Sequence, residues 1–221
     1  VLDPACGSGV FLVETLRKII EKHIEIYGKS EGKKEFKKSI KELVQKNIFG
    51  VDKDESAVQV AIFSVYLTLL DYQQPPDIET FQFPELLNKN FFVSDFFNTD
   101  AHYNEVFKDE EFDFILGNPP WASSRKGLDS VGKGYVKQRR IKERKQDKEF
   151  KIGINNNEIA EGFVLRVSDF ISSTNTQIAF IIKSSVLYNL GYSEQSPFRP
   201  YWLQEFFIDR VFELAPVRRE V

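Results

Sequence analysis

The chain has 221 residues, 42% of them hydrophobic and 29% charged, which fits an ordinary soluble globular domain with a sizeable core. A single cysteine, Cys6, excludes an internal disulfide framework, and with only two histidines it argues against a structural zinc site. The net charge is −3, but residues 122–151 carry 11 Lys or Arg against four Asp or Glu. The longest apolar run, Val60–Leu70, is too short to cross a bilayer. Since we see no signal peptide either, we expect a protein of the reducing cytoplasm.

Strand-like and helix-like segments alternate along the chain, which predicts an α/β fold with a parallel sheet. The predicted strands are residues 1–3, 48–51, 91–93, 112–116, 177–182 and 206–214. The predicted helices are residues 10–27, 33–46, 54–70, 157–172 and a short one within 196–204. Residues 122–156 are predicted to form one long basic loop, which in a compact domain indicates a functional or disordered segment.

The loop after the first strand, residues 3–9, is called the first loop here. It consists of Asp3, Pro4, Ala5, Cys6, Gly7, Ser8 and Gly9. Parallel sheets bind nucleotide-like ligands at the carboxyl ends of their strands, and glycines let the backbone approach a ligand closely. The third glycine of a dinucleotide fingerprint is replaced by Leu12, and the Lys-Ser/Thr of a phosphate loop is missing, so we do not expect a pyrophosphate ligand. The alternative is a tight turn in which Asp3 caps the helix.

Acidic residues also follow the second and third predicted strands. A carboxylate in the position of Asp52 can accept both hydroxyls of a ribose, although it lies 49 residues after Asp3. The helix at 33–46 explains the long spacing as an insertion. We expect Asp54 to cap the following helix. Asp95 follows the third strand, where it serves either a ligand or a turn.

The fourth predicted strand is followed directly by Asn118, Pro119, Pro120 and Trp121. These four residues, the NPPW motif, belong to the same edge of the sheet as the first loop. Consecutive prolines fix two φ angles and stiffen the backbone there. The alternative interpretation is an Asn-Pro turn that closes a strand, with Trp121 in the core.

The first loop resembles motif I of the S-adenosylmethionine-dependent amino-methyltransferases. Residues 50–54 resemble the second motif of large restriction-modification methyltransferases, and Asp95 resembles the acidic residue of motif III. The order, with the first loop before NPPW and no large insert between them, is similar to that of type I and type IIG restriction-modification enzymes and related phage-defence methyltransferases. Residues 61–70, 84–86 and 161–163 are also similar to type IIG relatives.

This resemblance implies the Rossmann-like fold of S-adenosylmethionine-dependent methyltransferases, a doubly wound, mostly parallel sheet of seven strands. Six of the strands are expected in this chain. The seventh strand and a target-recognition domain are expected to be missing from it. We expect a single methyltransferase domain over residues 1–221, in which 33–46 is an inserted helix and 122–156 a basic loop.

The resemblance also implies S-adenosyl-L-methionine as cofactor and S-adenosylhomocysteine as product. The first-loop residues expected to bind this cofactor are Asp3, Pro4, Ala5, Cys6, Gly7 and Gly9. Asp3 would contact the cofactor's amino group, Asp52 its ribose and Asp95 its exocyclic amine. Phe96 would pack on the adenine ring. Lys53 departs from the apolar residue often found beside that ring.

The chemistry of the NPPW motif then concerns an amino group. Adenine N6 is a poor nucleophile because its lone pair is delocalised into the ring. The Asn118 side-chain oxygen and the Pro119 carbonyl can each accept one N6 proton and stabilise the developing positive charge. Trp121 offers a face for a base taken out of the duplex. The resemblance thus implies that Asn118, Pro119, Pro120 and Trp121 are the catalytic residues and that the reaction is N6-adenine methylation of DNA.

We expect double-stranded DNA with a flipped adenine as partner, together with a specificity or restriction subunit or domain and no membrane, in a bacterial or archaeal cytoplasm. The residues expected to contact phosphates are Arg125, Lys126, Arg139, Arg140, Arg144 and Lys145. On charge alone, a solvated loop is the simpler interpretation of this segment.

Two other functions remain open. One is an amino-methyltransferase that acts on protein glutamine or on RNA, since NPP followed by an aromatic residue serves those enzymes too. The other is a non-catalytic subunit that binds cofactor or DNA. The presence of all the expected side chains argues against the non-catalytic subunit. The basic segment after NPPW favours a nucleic acid over a protein as the substrate.

Overall fold

The computed structural model describes residues 1–28, 33–122, 124–142, 149–151, 153–188 and 198–214. Contacts between Cα atoms divide the chain into two compact units. The first unit comprises Val1–Pro119 and Asp169–Ile181, and the second comprises Pro120–Ser168 and Ile182–Val221. The single domain expected over 1–221 stays a prediction.

The described elements alternate between strand and helix in the first unit. The strands are β1 (Leu2–Asp3), β2 (Phe49–Asp52), β3 (Phe91–Val93), β4 (Phe114–Gly117), β5 (Arg140–Lys142), β6 (Glu149–Lys151) and β7 (Gln177–Phe180). The helices are α1 (Val10–Tyr27), α2 (Lys33–Asn47), α3 (Glu55–Asp71), α4 (Pro75–Ile78), α5 (Tyr103–Phe107), α6 (Ser130–Gln138), α7 (Ile159–Val167), α8 (Ser185–Tyr188) and α9 (Phe198–Glu205). None of the helices in these described ranges combines the length and apolar character that crossing a membrane requires.

The sheet of the first unit has five parallel strands in the order β3-β2-β1-β4-β7. Leu2 in the central strand β1 lies opposite Phe49 on one side and Ile115 on the other. The chain therefore builds the sheet outward to β3 and then returns to β4, so the strand order reverses between β1 and β4. Ligands of open α/β sheets bind at this reversal, outside the carboxyl ends of the strands. The predicted α/β class and its parallel sheet are confirmed, with five strands in the sheet.

Helices α1 and α3 bury one face each in the core. In α1 the fully buried positions are Leu12, Leu16 and Ile20, which recur every four residues along one side of the helix. Helix α3 begins after Asp54, whose carboxylate accepts the backbone amides of Ser56 and Ala57. The predicted cap of this helix is confirmed, and the predicted inserted helix is α2.

The long basic loop predicted over 122–156 is wrong as a structureless segment. The structure has a 3-10 turn at Ser124–Lys126, helix α6 and an antiparallel pair of β5 with β6. Helix α6 forms because Asp129 accepts the amides of Val131 and Gly132 and because apolar side chains bury one side of the helix. Its two glycines and its lysines concealed this pattern in the sequence.

The sixth strand predicted over 206–214 is also wrong for this structure. These residues have strand-like composition, but they pair with no strand among the described residues. The Phe207 side chain is 92% exposed. A strand requires a partner that accepts its backbone hydrogen bonds, and composition alone does not supply one.

Candidate functional site

The first loop folds back on itself at the carboxyl end of β1. The Ala5 amide donates to Asp3 Oδ1 at 3.0 Å, and the Gly9 amide donates to the Cys6 carbonyl at 2.8 Å. The Cys6 amide donates to the Val51 carbonyl of β2 at 3.0 Å. The loop is therefore held by its own hydrogen bonds and by the neighbouring strand before any ligand is considered.

Both glycines of the first loop have positive φ, +50° at Gly7 and +83° at Gly9. A Cβ atom on Gly9 would lie 2.9 Å from the Ala61 Cβ atom, so glycine allows the start of α1 to pack against α3. A Cβ atom on Gly7 would meet nothing within 4 Å. The side of the loop at Gly7 therefore faces open space, as expected where a backbone is approached by a ligand.

Asp3 is a buried carboxylate, 1% exposed. Its Oδ1 atom accepts the Ala5 amide, whereas its Oδ2 atom has no hydrogen-bond partner among the described residues. Burial raises the pKa of Asp3 to about 7; the Ala5 amide lowers it, and the charge of Asp52 raises it further. A buried oxygen without a donor is costly, so this atom is suited to a ligand that donates a proton or carries a positive charge.

Asp52, at the end of β2, clamps the first loop. Its Oδ2 atom accepts the Gly7 amide at 2.9 Å, and its Oδ1 atom accepts the Asp54 amide at 2.9 Å. The sequence did not reveal this contact, because Gly7 and Asp52 are 45 residues apart. An ionised carboxylate has about four acceptor positions, so two remain for a ligand.

Asp95 follows β3 and lies beside Lys53, the residue after β2. Its Oδ2 atom is 3.0 Å from the Lys53 Nζ atom, and its Oδ1 atom accepts the Phe97 amide at 2.8 Å. The Phe96 ring is buried and stacks on Tyr103, whose hydroxyl donates to the Phe96 carbonyl. The structure thus brings Asp95 to the candidate site, while the ring of Phe96 lies in the core. The packing of Phe96 on the cofactor's adenine ring stays a prediction.

Cys6 is a packed residue at this edge. It is buried, and burial raises the pKa of its thiol, which keeps the thiol protonated and unreactive at neutral pH. Its Sγ atom would lie 3.0 Å from a Cβ atom added at Gly50. Cys6 is therefore a small packed side chain and not a nucleophile.

The end of β4 carries Asn118 and Pro119, the first two residues of the NPPW motif, to the same edge. A Cβ atom on Gly117 would lie 3.0 Å from Asp3 Oδ1, so the residue before Asn118 directly adjoins the first loop. Asn118 is exposed, Pro119 is buried, and no hydrogen bond to the Asn118 amide is found in the described ranges. Trp121, in the second unit, is 54% exposed and therefore does not lie in the core as the alternative interpretation required.

The basic candidates of the second unit fall into three groups. Arg125 and Lys126 are exposed in the 3-10 turn. Arg139 is partly buried, with its Nη2 atom donating to Ser168 Oγ at 2.7 Å. Arg144 and Lys145 lie outside the described residues, as does the side chain of Arg140. Phosphate contacts by these side chains stay predictions, and Arg125 and Lys126 are the described side chains best placed to make them.

Residues 46–217, more than half of the chain, match the protein-family model described as Eco57I restriction-modification methylase. The chain belongs to this family. The chain is 31% identical over 90 residues to the putative type II restriction enzyme and methyltransferase RM.MjaORFECS2P of Methanocaldococcus jannaschii, a match covering 41% of this chain and 7% of that protein. It is 26% identical over 143 residues to the type II restriction enzyme and methyltransferase RM.Eco57I of Escherichia coli, covering 55% of this chain and 14% of that protein.

Two solved structures share the fold of this chain. The type IIL restriction-modification enzyme MmeI, in complex with DNA, is 24% identical with a TM-score of 0.51, covering 84% of this chain and 24% of that one. The ATP-dependent type ISP restriction-modification enzyme LlaBIII, bound to DNA, is 16% identical with a TM-score of 0.54, covering 83% and 12%. The chain thus spans only a small fraction of the length of the relatives and solved structures that it matches.

The structure buries two carboxylates, those of Glu158 and Glu161, that the sequence did not indicate as buried polar groups. Glu161, on α7, accepts the Asn155 backbone amide at 2.6 Å and its side-chain amide at 3.0 Å. Burial raises the pKa of Glu161 to about 7. Glu158 is also buried, and its Oε1 atom has no hydrogen-bond partner among the described residues. The apolar residues around them in the sequence gave no sign of a buried acidic pair.

We expect the Asp3→Asn variant to have a free energy of unfolding about 2 kcal/mol higher than that of the wild type at pH 8. The asparagine side chain removes a buried charge and keeps an oxygen that accepts the Ala5 amide. The folded-state pKa of about 7 lies above the ordinary 3.8. The folded wild type therefore takes up a proton as the pH falls through 7 and gains stability down to about pH 4. Urea unfolding of both proteins from pH 5 to 8 measures this, and a difference that does not change with pH would contradict it.

Proposed function

We propose that the chain transfers a methyl group from S-adenosyl-L-methionine to N6 of adenine in DNA, as the methyltransferase part of a restriction-modification or phage-defence system. The observation that carries this proposal is the approach of the β4 end to the first loop. Gly117, the residue before Asn118, adjoins the buried carboxylate of Asp3, whose Oδ2 atom has no donor within the described part of the chain. An amino-group acceptor and a cation acceptor therefore share the edge where the strand order reverses.

The residues at this edge fit the cofactor. When bound, S-adenosylmethionine supplies a methyl group that is already activated on a sulfonium sulfur. The Asp3 Oδ2 atom fits the cofactor's ammonium group, because it is buried and none of the residues that the structure describes donates to it. The open space beside Gly7 allows a ligand to approach the backbone. Asp52 and Asp95 retain acceptor positions for ribose hydroxyls and an exocyclic amine.

The proposed role of Asn118 is to accept one N6 proton while the Pro119 carbonyl accepts the other. The two acceptors favour a pyramidal, amine-like nitrogen and stabilise the positive charge that develops on it. Asn118 is exposed, and Pro119 is buried, so the second acceptor belongs to anchored backbone. Two fixed φ angles hold these acceptors in place before the base arrives.

DNA as the substrate is supported by the motif and by the relatives. Trp121 is exposed enough to stack on a base taken out of the duplex. MmeI and LlaBIII, which share the fold, are described in complex with DNA. The exposed pair Arg125 and Lys126 follows the motif in the chain and provides positive charge for phosphates.

The test is transfer of tritiated methyl from S-adenosylmethionine to duplex DNA, to RNA and to protein in parallel, using the intact gene product. We expect label in DNA only, recovered as N6-methyladenine after nuclease digestion. A duplex in which every adenine is already N6-methylated serves as the matched control and should accept none. Label in protein or RNA alone would support the other amino-methyltransferases. Cofactor binding without any transfer would support the non-catalytic subunit.

Replacing Arg125 and Lys126 together by glutamine is expected to weaken DNA binding and to flatten its dependence on salt. Each phosphate contact contributes about 0.9 to the slope of log K against log salt, so the slope should fall by about 1.8. The slope is measured by fluorescence anisotropy with labelled duplex DNA at salt concentrations from about 50 to about 300 mM. Lys89→Gln is the matched comparison: it removes an exposed positive charge that pairs with Glu85 in the first unit, and it should leave the slope nearly unchanged. An unchanged slope in the double variant would contradict the contact.

A further inference from the structure

We propose that Lys53 tunes the charge of the cofactor site and thereby sets its preference between the methyl donor and the demethylated product. The inference rests on the proposed function, because it concerns the same cofactor. It assigns a specificity role to a side chain that the family resemblance marked only as a departure.

Lys53 is held at the carboxyl ends of β2 and β3. It stands between Asp52, which clamps Gly7, and Asp54, which caps α3. Its Nζ atom lies 3.0 Å from the Asp95 Oδ2 atom, and the backbone beneath is tied by the bond from the Ser94 amide to the Asp52 carbonyl. The ammonium group is therefore positioned by both strands, although its side chain is 62% exposed.

The same edge gathers negative charge. Its carboxylates come from the ends of three neighbouring strands: Asp3, Asp52, Asp54 and Asp95. The mutual repulsion is already visible at Asp3, where the charge of Asp52 raises the pKa. Lys53 contributes a positive charge beside this group, so it reduces the negative potential that a ligand meets there.

The donor and the product differ chiefly in charge. S-adenosylmethionine carries a sulfonium, an ammonium and a carboxylate, with a net charge of +1. S-adenosylhomocysteine lacks the sulfonium charge and is neutral overall, while its adenosine and amino-acid groups are the same. A more negative site therefore favours the donor and leaves the product nearly unaffected. By moderating the potential, Lys53 keeps the donor from being held far more tightly than the product.

A purely structural role for Lys53 predicts something else. Exposed ion pairs contribute little to stability, and loss of the Lys53 contact would loosen Asp95 for any adenosine-containing ligand. Donor and product would then weaken by the same factor. The ratio of their dissociation constants separates a charge effect from a positioning effect.

The experiment is calorimetric titration of the wild type, Lys53→Met and Lys53→Arg with S-adenosylmethionine and with S-adenosylhomocysteine. Lys89→Met is the matched control, because Lys89 is 59% exposed and pairs with Glu85 at 2.7 Å elsewhere in the same unit. In Lys53→Met at low salt we expect the donor-over-product preference to rise about threefold. Lys53→Arg and Lys89→Met should keep the wild-type ratio. The change should fade at about 0.5 M salt, because screening weakens the interaction.

The inference would be overturned if donor and product affinities changed by the same factor in Lys53→Met, which would leave their ratio at the wild-type value. Failure of the proposed cofactor has a different signature, since the wild type itself would then bind neither ligand. Circular dichroism and urea unfolding of each variant confirm that the affinities refer to folded protein.

Discussion

Asn118→Ala is expected to reduce methyl transfer to adenine by at least about 10³-fold while the dissociation constant of the cofactor changes by less than about twofold. The side chain is exposed and makes no hydrogen bond in the described part of the chain, so its removal leaves the fold unaltered. The loss falls on the reacting nitrogen, because one of the two acceptors for the N6 protons is gone. The remaining carbonyl of Pro119 cannot hold both protons.

Single-turnover transfer to duplex DNA gives the rate for Asn118→Ala, and calorimetric titration with S-adenosylhomocysteine gives the affinity. Trp121→Ala is the comparison variant. It should lose base stacking of about 1–3 kcal/mol, seen as weaker substrate binding with a smaller loss in the chemical step. Equal losses of transfer and of cofactor binding in Asn118→Ala would show that Asn118 supports the cofactor site and not the base.

Gly9→Ala is expected to lower the free energy of unfolding by about 3 kcal/mol or more. Two costs combine: a non-glycine residue at φ +83° costs about 1–2 kcal/mol, and a Cβ atom 2.9 Å from Ala61 Cβ forces α1 and α3 apart. Gly7→Ala is the matched control, because its φ is +50° but its Cβ atom would meet nothing within 4 Å. Only the backbone cost of about 1 kcal/mol applies to it.

Urea unfolding of the two glycine variants measures this difference. The double variant Gly9→Ala with Ala61→Gly should recover part of the loss, since it removes the opposing Cβ atom. Gly7→Ala, although nearly as stable as the wild type, should bind S-adenosylhomocysteine at least about tenfold more weakly, because its methyl group occupies space proposed for the ligand. Equal destabilisation at Gly7 and Gly9 would mean that backbone strain alone explains both positions.

The fold could be predicted where local patterns and tertiary packing agree. Strands β1 to β4 and β7 were predicted correctly because short apolar runs suit a sheet that is covered on both faces. Helix α6 was missed because glycines and lysines obscure its apolar positions, and its cap, Asp129, was visible only as an isolated acid. The strand predicted over 206–214 failed because a strand depends on a partner that the segment itself does not provide.

The candidate site was predictable residue by residue, but not contact by contact. Asp3, Asp52, Asp95 and Asn118 each follow a strand, and parallel strands bring their carboxyl ends to one edge. The pairing of Gly7 with Asp52 joins residues 45 positions apart, and that of Lys53 with Asp95 joins residues 42 apart. No local spacing encodes such contacts, since they depend on how the strands are ordered.

By itself, the sequence determined the residue types that carry the proposed chemistry, the strand–loop positions they occupy and the order of the motifs. These are local properties, set by side-chain chemistry and by the periodicity of apolar residues. Only the tertiary structure decided that one oxygen of Asp3 has no donor among the residues described, that Asp52 accepts the Gly7 amide, and that Lys53 pairs with Asp95. Burial and hydrogen-bond pairing are properties of neighbours in space, and the central position of β1 between β2 and β4 creates those neighbours.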